Sequence, residues 1–308
     1  MNLPTIHLIS IGGWNAPHPD TSNPPDVTYE NWVKWNNDTF DGIDWDIEGN
    51  DDTNSPFNMF TQPCLDLMGQ ISQLAKKDGY LVSMVPAESY LDPTASVFDF
   101  YLNHSYPEWE TLVPFFPYHG HNVYAYLLVK YGSTLVNGQV SDTFDFVTIQ
   151  LYEGYSHADY NITLGRQSPV SYLQNWIPLV YGGWDLEIPS NYISTDWGTG
   201  SSAVGGISTV RVSVPPSRLV IGLANGWAGG DSSINPTKFL LIYPDQVGDS
   251  YRALEATGLA PRGYAFWVIS EEGNASVARP NVPVWMAAGL NQFLHTRSLN
   301  STNTTSAF

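Results

Sequence analysis

Residues Phe40 to Glu48 read FDGIDWDIE, and the second half of that stretch decides the fold. Asp44, Trp45, Asp46, Ile47 and Glu48 alternate acid with apolar residue. In an extended strand alternate side chains share a face, so the spacing predicts a strand with its three acids on one side and Trp45 and Ile47 on the other. The apolar side fits a strand packed under helices. A buried charge costs several kcal/mol unless it is paired or protonated, so a core strand has no structural reason to align three acids. Crowded carboxylates also push each other's pKa values apart, which keeps an acid protonated near neutral pH.

Two other readings compete. A solvated sheet edge would carry such acids, but the apolar flanks and Gly42 argue against it. Calcium is the second: Asp44, Asp46, Glu48 and Gly49 match the start of an EF-hand loop. The match then fails, with Ser55 where that loop ends in a bidentate Glu, Asp51 where it needs an apolar residue, and a strand rather than a helix before it.

The eight residues DGIDWDIE, Asp41 to Glu48, resemble the D-G-x-D-x-D-x-E signature of the family 18 glycoside hydrolases, the chitinases and their relatives. In that family the signature lies on the fourth strand of a TIM barrel. The resemblance therefore implies a TIM (β/α)8 barrel, in which active residues sit at the C-terminal ends of the strands.

Composition is compatible. The 308 residues suffice for one α/β barrel, and 43% hydrophobic with 14% aromatic residues describe a packed globular chain. Twelve Lys+Arg against 30 Asp+Glu give a net charge of −18, which argues against nucleic acid and anionic membrane as partners and favours a neutral polymer. Eleven Trp and 18 Tyr supply faces on which sugars stack. Cys64 is alone, so no disulfide framework or thiolate cluster is expected and a core thiol is its expected role. Sequons at Asn37, Asn103, Asn161, Asn274, Asn300 and Asn303 lean towards secretion. No apolar run is long enough to span a membrane. Met1 to Ile11 lacks the basic start and cleavage site of a signal peptide.

The remaining segments follow in order. Ile6 to Gly13, IHLISIGG, reads as a buried parallel strand entering a loop. Its Ser10, Gly12 and Gly13 match the S-x-G-G that ends the family's third barrel strand. That implies a barrel starting near strand 3, with strands 3 to 8 present and the first two βα units absent. Trp14 to Thr28 is expected to be irregular and Tyr29 to Asn36 a short helix. Helical spacing of Leu65, Met68, Ile71 and Leu74 predicts a helix over Gln62 to Lys77, followed by a strand over Tyr80 to Ala87. Strand, helix, strand is a parallel unit, and its repetition means α/β.

Glu88 to Asp142, with Trp109, Phe115, Phe116 and Tyr118 and an apolar run from Val123 to Tyr131, is read as an insertion plus helix. Phe144 to Tyr152 is the next strand. Its Gln150, Leu151 and Tyr152 resemble the Q-x-Y of the family's sixth strand in the plant-type branch, while Glu153 departs from the usual Asp or Asn. Ser171 to Val180 is expected as helix, Gly182 to Gly206 with Trp184 and Trp197 as loop, and Arg218 to Gly226 as strand. A helix over Pro244 to Thr257, a strand over Gly263 to Ile269 and a helix over Val282 to Thr296 complete one barrel domain, residues 1–298. Residues 299–308 form a polar, frayed tail.

The resemblance also implies roles. Glu48 would be the general acid and then the base. Asp46 would hold the substrate's acetamido N–H, Asp44 below it would share a proton with it, and Tyr152 would donate to the acetamido oxygen. Gln150, Trp267, Gly12 and Gly13 would bind substrate, Trp267 flooring the cleaved sugar's site. The implied reaction is retaining, substrate-assisted hydrolysis of β-1,4-linked N-acetylglucosamine. The implied partner is chitin or an N-acetylglucosamine-containing oligosaccharide, acted on by a secreted monomer with no metal and no cofactor. An endo-acting N-glycan glycosidase would use the same signature. A non-catalytic chitin-binding lectin or an inactive truncated fragment would keep the barrel without the reaction.

Overall fold

A computed structural model of the chain describes residues 5–20, 28–50, 55–102, 121–153, 156–193, 206–228, 239–276 and 279–294. In chain order these form β1 (Leu8–Gly13), α1 (Tyr29–Asn36), β2 (Gly42–Ile47), α2 (Gln62–Lys77), β3 (Leu81–Met84), α3 (Ala125–Tyr131), β4 (Ser133–Val136) and β5 (Gln139–Asp142). They continue as β6 (Phe146–Gln150), α4 (Pro169–Gly182), β7 (Trp184–Pro189), β8 (Ile207–Val212), β9 (Leu219–Ala224), α5 (Pro244–Ala256), β10 (Gly263–Trp267) and α6 (Met286–Leu294), with shorter helical turns between them. The chain divides into two compact units: Met1–Val147 with Gly183–Val214, and Thr148–Gly182 with Pro215–Phe308.

In the first unit β1, β2, β3 and the first residues of β6 pair in chain order, all parallel. The register sets Ser10 and Gly12 opposite Asp44 and Asp46, and Ser83 opposite Asp44. In the second unit the Leu151 amide just after β6 donates to the Gly222 carbonyl of β9 at 3.0 Å. There β9 pairs parallel with β10, from Val220 opposite Gly263 to Ala224 opposite Trp267. The α/β class and a parallel ladder followed in chain order agree with expectation.

Local chemistry explains the helices that frame this ladder. Thr28 caps α1 by accepting the Asn31 amide at 3.1 Å, and Thr61 caps α2 by accepting the Cys64 amide at 3.0 Å. Pro63 sits in the first turn of α2 and Lys76 and Lys77 in its last, each where the helix end favours it. The face of α2 carrying Cys64, Leu65, Met68, Ile71 and Ala75 is buried, each large side chain stabilising by about 1.5–3 kcal/mol. Leu74, expected on that face, is 40% exposed.

Two segments differ from the sequence reading. Gly182 to Gly206 was expected as loop, but Trp184–Pro189 is strand β7, paired antiparallel with β8. Trp184, Leu186 and Ile188 are buried in alternation, so burial on one face overrides the Gly/Ser-rich surroundings. Within the expected insertion, β4 and β5 form a hairpin closed by Asn137 and Gly138, with φ of 49° and 78°. Two positive-φ residues at such a turn match the twist of the flanking strands. The C-terminal helix begins at Met286, four residues later than Val282. Trp109, Phe115, Phe116, Tyr118, Trp197, the sequons at Asn103, Asn300 and Asn303, and the tail at 299–308 lie outside the described residues. Among the described residues no helix is long and apolar enough to cross a membrane.

Candidate active site

The stretch from Asp41 to Glu48 is fixed residue by residue within the first unit. Asp41, at the strand's entrance, accepts the His7 amide at 2.7 Å and so aligns the segment leading into β1. Gly42 lies so close to β3 that a Cβ there would overlap the Leu81 carbonyl. From Ile43 to Ile47 burial alternates as the sequence requires: Ile43, Trp45 and Ile47 are fully buried, Asp44 and Asp46 partly so. The apolar side does face a helix, for the Trp45 indole N–H donates to Ser72 Oγ of α2 at 2.8 Å.

Asp44 is held between its two neighbouring strands. Ser10 Oγ donates to its Oδ2 at 3.3 Å and Ser83 Oγ donates to its Oδ1. Burial raises the Asp44 pKa, and these two hydroxyls pull it back in part. Its raised value was expected from carboxylate crowding, whereas loss of water around the group is the leading cause.

Asp46 stands over the paired glycines of β1. Gly12 has φ of 119°, and a Cβ there would overlap the Asp46 carbonyl oxygen. Gly13 has φ of 97°, and a Cβ there would lie 4.0 Å from Asp46 Oδ2. Glycine is thus what lets β1 close on β2 beside this carboxylate.

Glu48 follows the last residue of β2 and is 5% exposed. Its backbone carbonyl lies 3.1 Å from His18 Nε2, and the next amide, of Gly49, donates to the Tyr90 hydroxyl at 3.1 Å. Tyr124, fully buried at the start of α3, reaches Ile47, the residue between Asp46 and Glu48. Burial first, then the charges of Asp46 and Glu48, raise its pKa far above the usual phenol value, so it stays a neutral donor. Tyr124, Tyr90, Ser83 and His18 were not named from sequence. Nothing local to them signals a role, since they lie 30 to 77 residues from their partners or on another strand.

The other expected residues lie in the second unit. Gln150 ends β6 and is 2% exposed, and Tyr152 follows two residues later with its ring 6.1 Å from that of Trp227, edge to face. Trp267 ends β10 and is 59% exposed, so it is not packed into the core. Its carbonyl accepts the Trp227 indole N–H at 2.6 Å, and the Trp267–Val268 peptide is cis. The structure therefore gathers Gly12, Gly13, Asp44, Asp46 and Glu48 in one unit and carries Gln150, Tyr152 and Trp267 at strand ends of the other.

In the first unit this arrangement supplies a row of three carboxyls, Asp44, Asp46 and Glu48, at the C-terminal end of a parallel strand. Burial raises the pKa of Asp44, and Glu48, itself buried, lies just beyond the strand. Such a row can supply a proton from one carboxyl and negative charge from another, as acid–base work on a polar bond requires.

No protein-family model matches the chain, and no curated protein does. Among solved structures, a GH18 chitinase from Pseudoalteromonas aurantia aligns with a TM-score of 0.46 at 15% identity, over 93% of this chain and 74% of that one. The GH18 chitinase ChiB from Flavobacterium johnsoniae gives 0.41 at 12% identity, over 86% and 69%. The spore cortex-lytic enzyme SleL of Bacillus megaterium gives 0.41 at 11% identity, over 85% and 56%. Scores this low record a likeness and support no argument about chemistry.

Proposed function

We propose that this chain is a glycoside hydrolase of the family 18 type that cleaves β-1,4-linked N-acetylglucosamine polymers with retention of configuration. Support comes from the carboxyl row of Asp44, Asp46 and Glu48, set at the C-terminal end of a parallel strand and carried by a signature resembling that family's. In this proposal Glu48 protonates the leaving oxygen. The substrate's own acetamido oxygen attacks the anomeric carbon, so no second carboxylate has to act as nucleophile. Asp46 accepts the acetamido N–H and offsets the charge of the cyclic intermediate. Asp44, whose pKa burial raises, shares a proton with Asp46 and lets that carboxylate carry charge when the cation forms. Tyr152 donates to the acetamido oxygen, Gln150 orients the sugar and Trp267 stacks beneath it. Glu48 then takes a proton from water as that water opens the intermediate.

The ladder would begin at the third barrel strand, so β1 to β10 would supply strands 3 to 8, with β4, β5, β7 and β8 as additions. Secretion belongs to the same proposal.

Hydrolysis of a fluorogenic chitotrioside by the purified chain and by Glu48→Gln tests this. Turnover is expected in the first and a loss of about 10²–10⁴-fold in the second, with sugar affinity kept. Near-normal turnover in Glu48→Gln sinks the mechanism. Sugar binding with no turnover in either protein replaces it with a lectin, and release of high-mannose glycans without chitotrioside cleavage moves the substrate to N-glycans.

A further inference from the structure

A second chemically distinct cluster lies in the first unit, tied to the Glu48 backbone carbonyl through His18. His18, Asp20 and Cys64 each direct one donor atom inward, and these atoms lie within 4.8 Å of one another. His18 is 2% exposed and Cys64 fully buried. The segments that carry them are 44 or more residues apart in sequence and meet at the first turn of α2.

Ordinary packing accounts for only part of this. Asp20 Oδ2 accepts the Thr61 hydroxyl, and so braces the residue that caps α2. The other carboxylate oxygen, Oδ1, is buried with no hydrogen-bond partner. A buried carboxylate oxygen with no N–H or O–H donor is costly and calls for a cation or proton near it. The Cys64 thiol is the donor set against that carboxylate, and an S–H is a weak one. With its Nε2–H donated to the Glu48 carbonyl at 3.1 Å, His18 is in the tautomer that puts the lone pair on Nδ1. A histidine that ligates a metal through one nitrogen commonly donates the other N–H to a backbone carbonyl in this way.

We propose that His18, Asp20 and Cys64 form a site for one divalent transition ion of the zinc kind, with water as fourth ligand. The donor set of imidazole, thiolate and carboxylate suits a borderline-soft tetrahedral cation and disfavours calcium or magnesium, which take oxygen ligands only. Tetrahedral bonds of about 2.0–2.3 Å place ligand atoms roughly 3.3–3.8 Å apart, so closing the present cluster needs movements of about 1 Å. On binding, the Cys64 thiol gives its proton to solvent as the metal–sulfur bond forms, and no electron changes hands. Through the His18–Glu48 hydrogen bond the ion braces the backbone just past β2. The site stands whether or not the chain hydrolyses a sugar.

Cobalt(II) is the probe, added to chelator-treated protein and followed by absorption. One equivalent is expected to produce a thiolate-to-cobalt charge-transfer band that excess zinc abolishes. Cys64→Ser should lose the band, and His18→Gln, which retains an N–H for the Glu48 carbonyl, should bind at least about 100-fold more weakly. Zinc should raise the melting temperature of the parent protein and leave that of Cys64→Ser unmoved. Should Cys64→Ser not fold, the parent protein alone decides. Absence of a zinc-sensitive thiolate band at one equivalent overturns the site, as does a band that survives in a folded Cys64→Ser.

Discussion

The Tyr124 hydroxyl brackets Ile47: it accepts the Ile47 amide at 2.8 Å and donates to the Ile47 carbonyl at 3.0 Å. One buried phenol thereby satisfies both backbone groups of the residue that separates Asp46 from Glu48. Tyr124→Phe removes both bonds and leaves an N–H and a C=O buried. The expected cost is about 1–3 kcal/mol of stability, read from the denaturant midpoint. Turnover of chitotrioside should fall with it while KM changes little, because Glu48 is displaced more than the sugar-binding surface. A variant as stable as the parent would show that water replaces the hydroxyl at no cost.

Gly12 and Gly79 both adopt positive φ, at 119° and 90°, but only Gly12 faces a neighbour. A Cβ on Gly12 overlaps the Asp46 carbonyl, whereas one on Gly79 meets nothing within 4 Å. Gly79→Ala should cost only the backbone strain, about 1–2 kcal/mol. Gly12→Ala should cost clearly more, because β1 must move off β2. Thermal unfolding of the two variants side by side checks the order, and equal losses would mean that β1 shifts freely.

Asp44 gives a pH dependence whose sign follows from its raised pKa. Between the unfolded value of about 3.9 and the higher folded value, the folded chain holds a proton that the unfolded chain has lost. The stability this contributes is fully present below the unfolded value and is lost as pH rises through the folded one. Asp44→Asn carries no such proton. The parent's stability relative to this variant should therefore decline as pH climbs above about 3.9. Denaturant titrations across that range test it. A difference that grows with pH would mean that the Ser10 and Ser83 hydroxyls outweigh burial.

Ser72 sits inside α2, where Ala is intrinsically the better helix former, so Ser72→Ala should stabilise on propensity alone. Its Oγ, however, accepts the buried Trp45 indole N–H at 2.8 Å. Stranding that donor should cost about 1–3 kcal/mol and reverse the sign. A neutral or stabilising Ser72→Ala would place no weight on this bond.

Helices α1 and α2 were legible to the residue because cap, apolar period and terminal charge agree at both ends. The β2 strand was legible because its alternation of acid and apolar residue has only one extended solution. Strand β7 carries the same period-two signal in Trp184, Leu186 and Ile188, but 17 residues separate it from its partner, and antiparallel pairing over that distance leaves no local trace. The Asn137–Gly138 turn was readable as a hairpin signal and was absorbed into the expected insertion. In the site, the acids announced themselves while their supports did not. Tyr124 and Ser83 act on β2 across 77 and 39 residues, and a lone tyrosine or serine in sequence looks like any other.

The β4–β5 hairpin has a practical consequence. Cys64 is the chain's only cysteine and is fully buried, whereas Gln139, beside the hairpin's turn, is exposed. A thiol introduced as Gln139→Cys would be the single reactive sulfur on the native protein. A fluorophore attached there would give a one-colour reporter of tumbling and ligand capture, leaving every carboxyl of β2 chemically untouched.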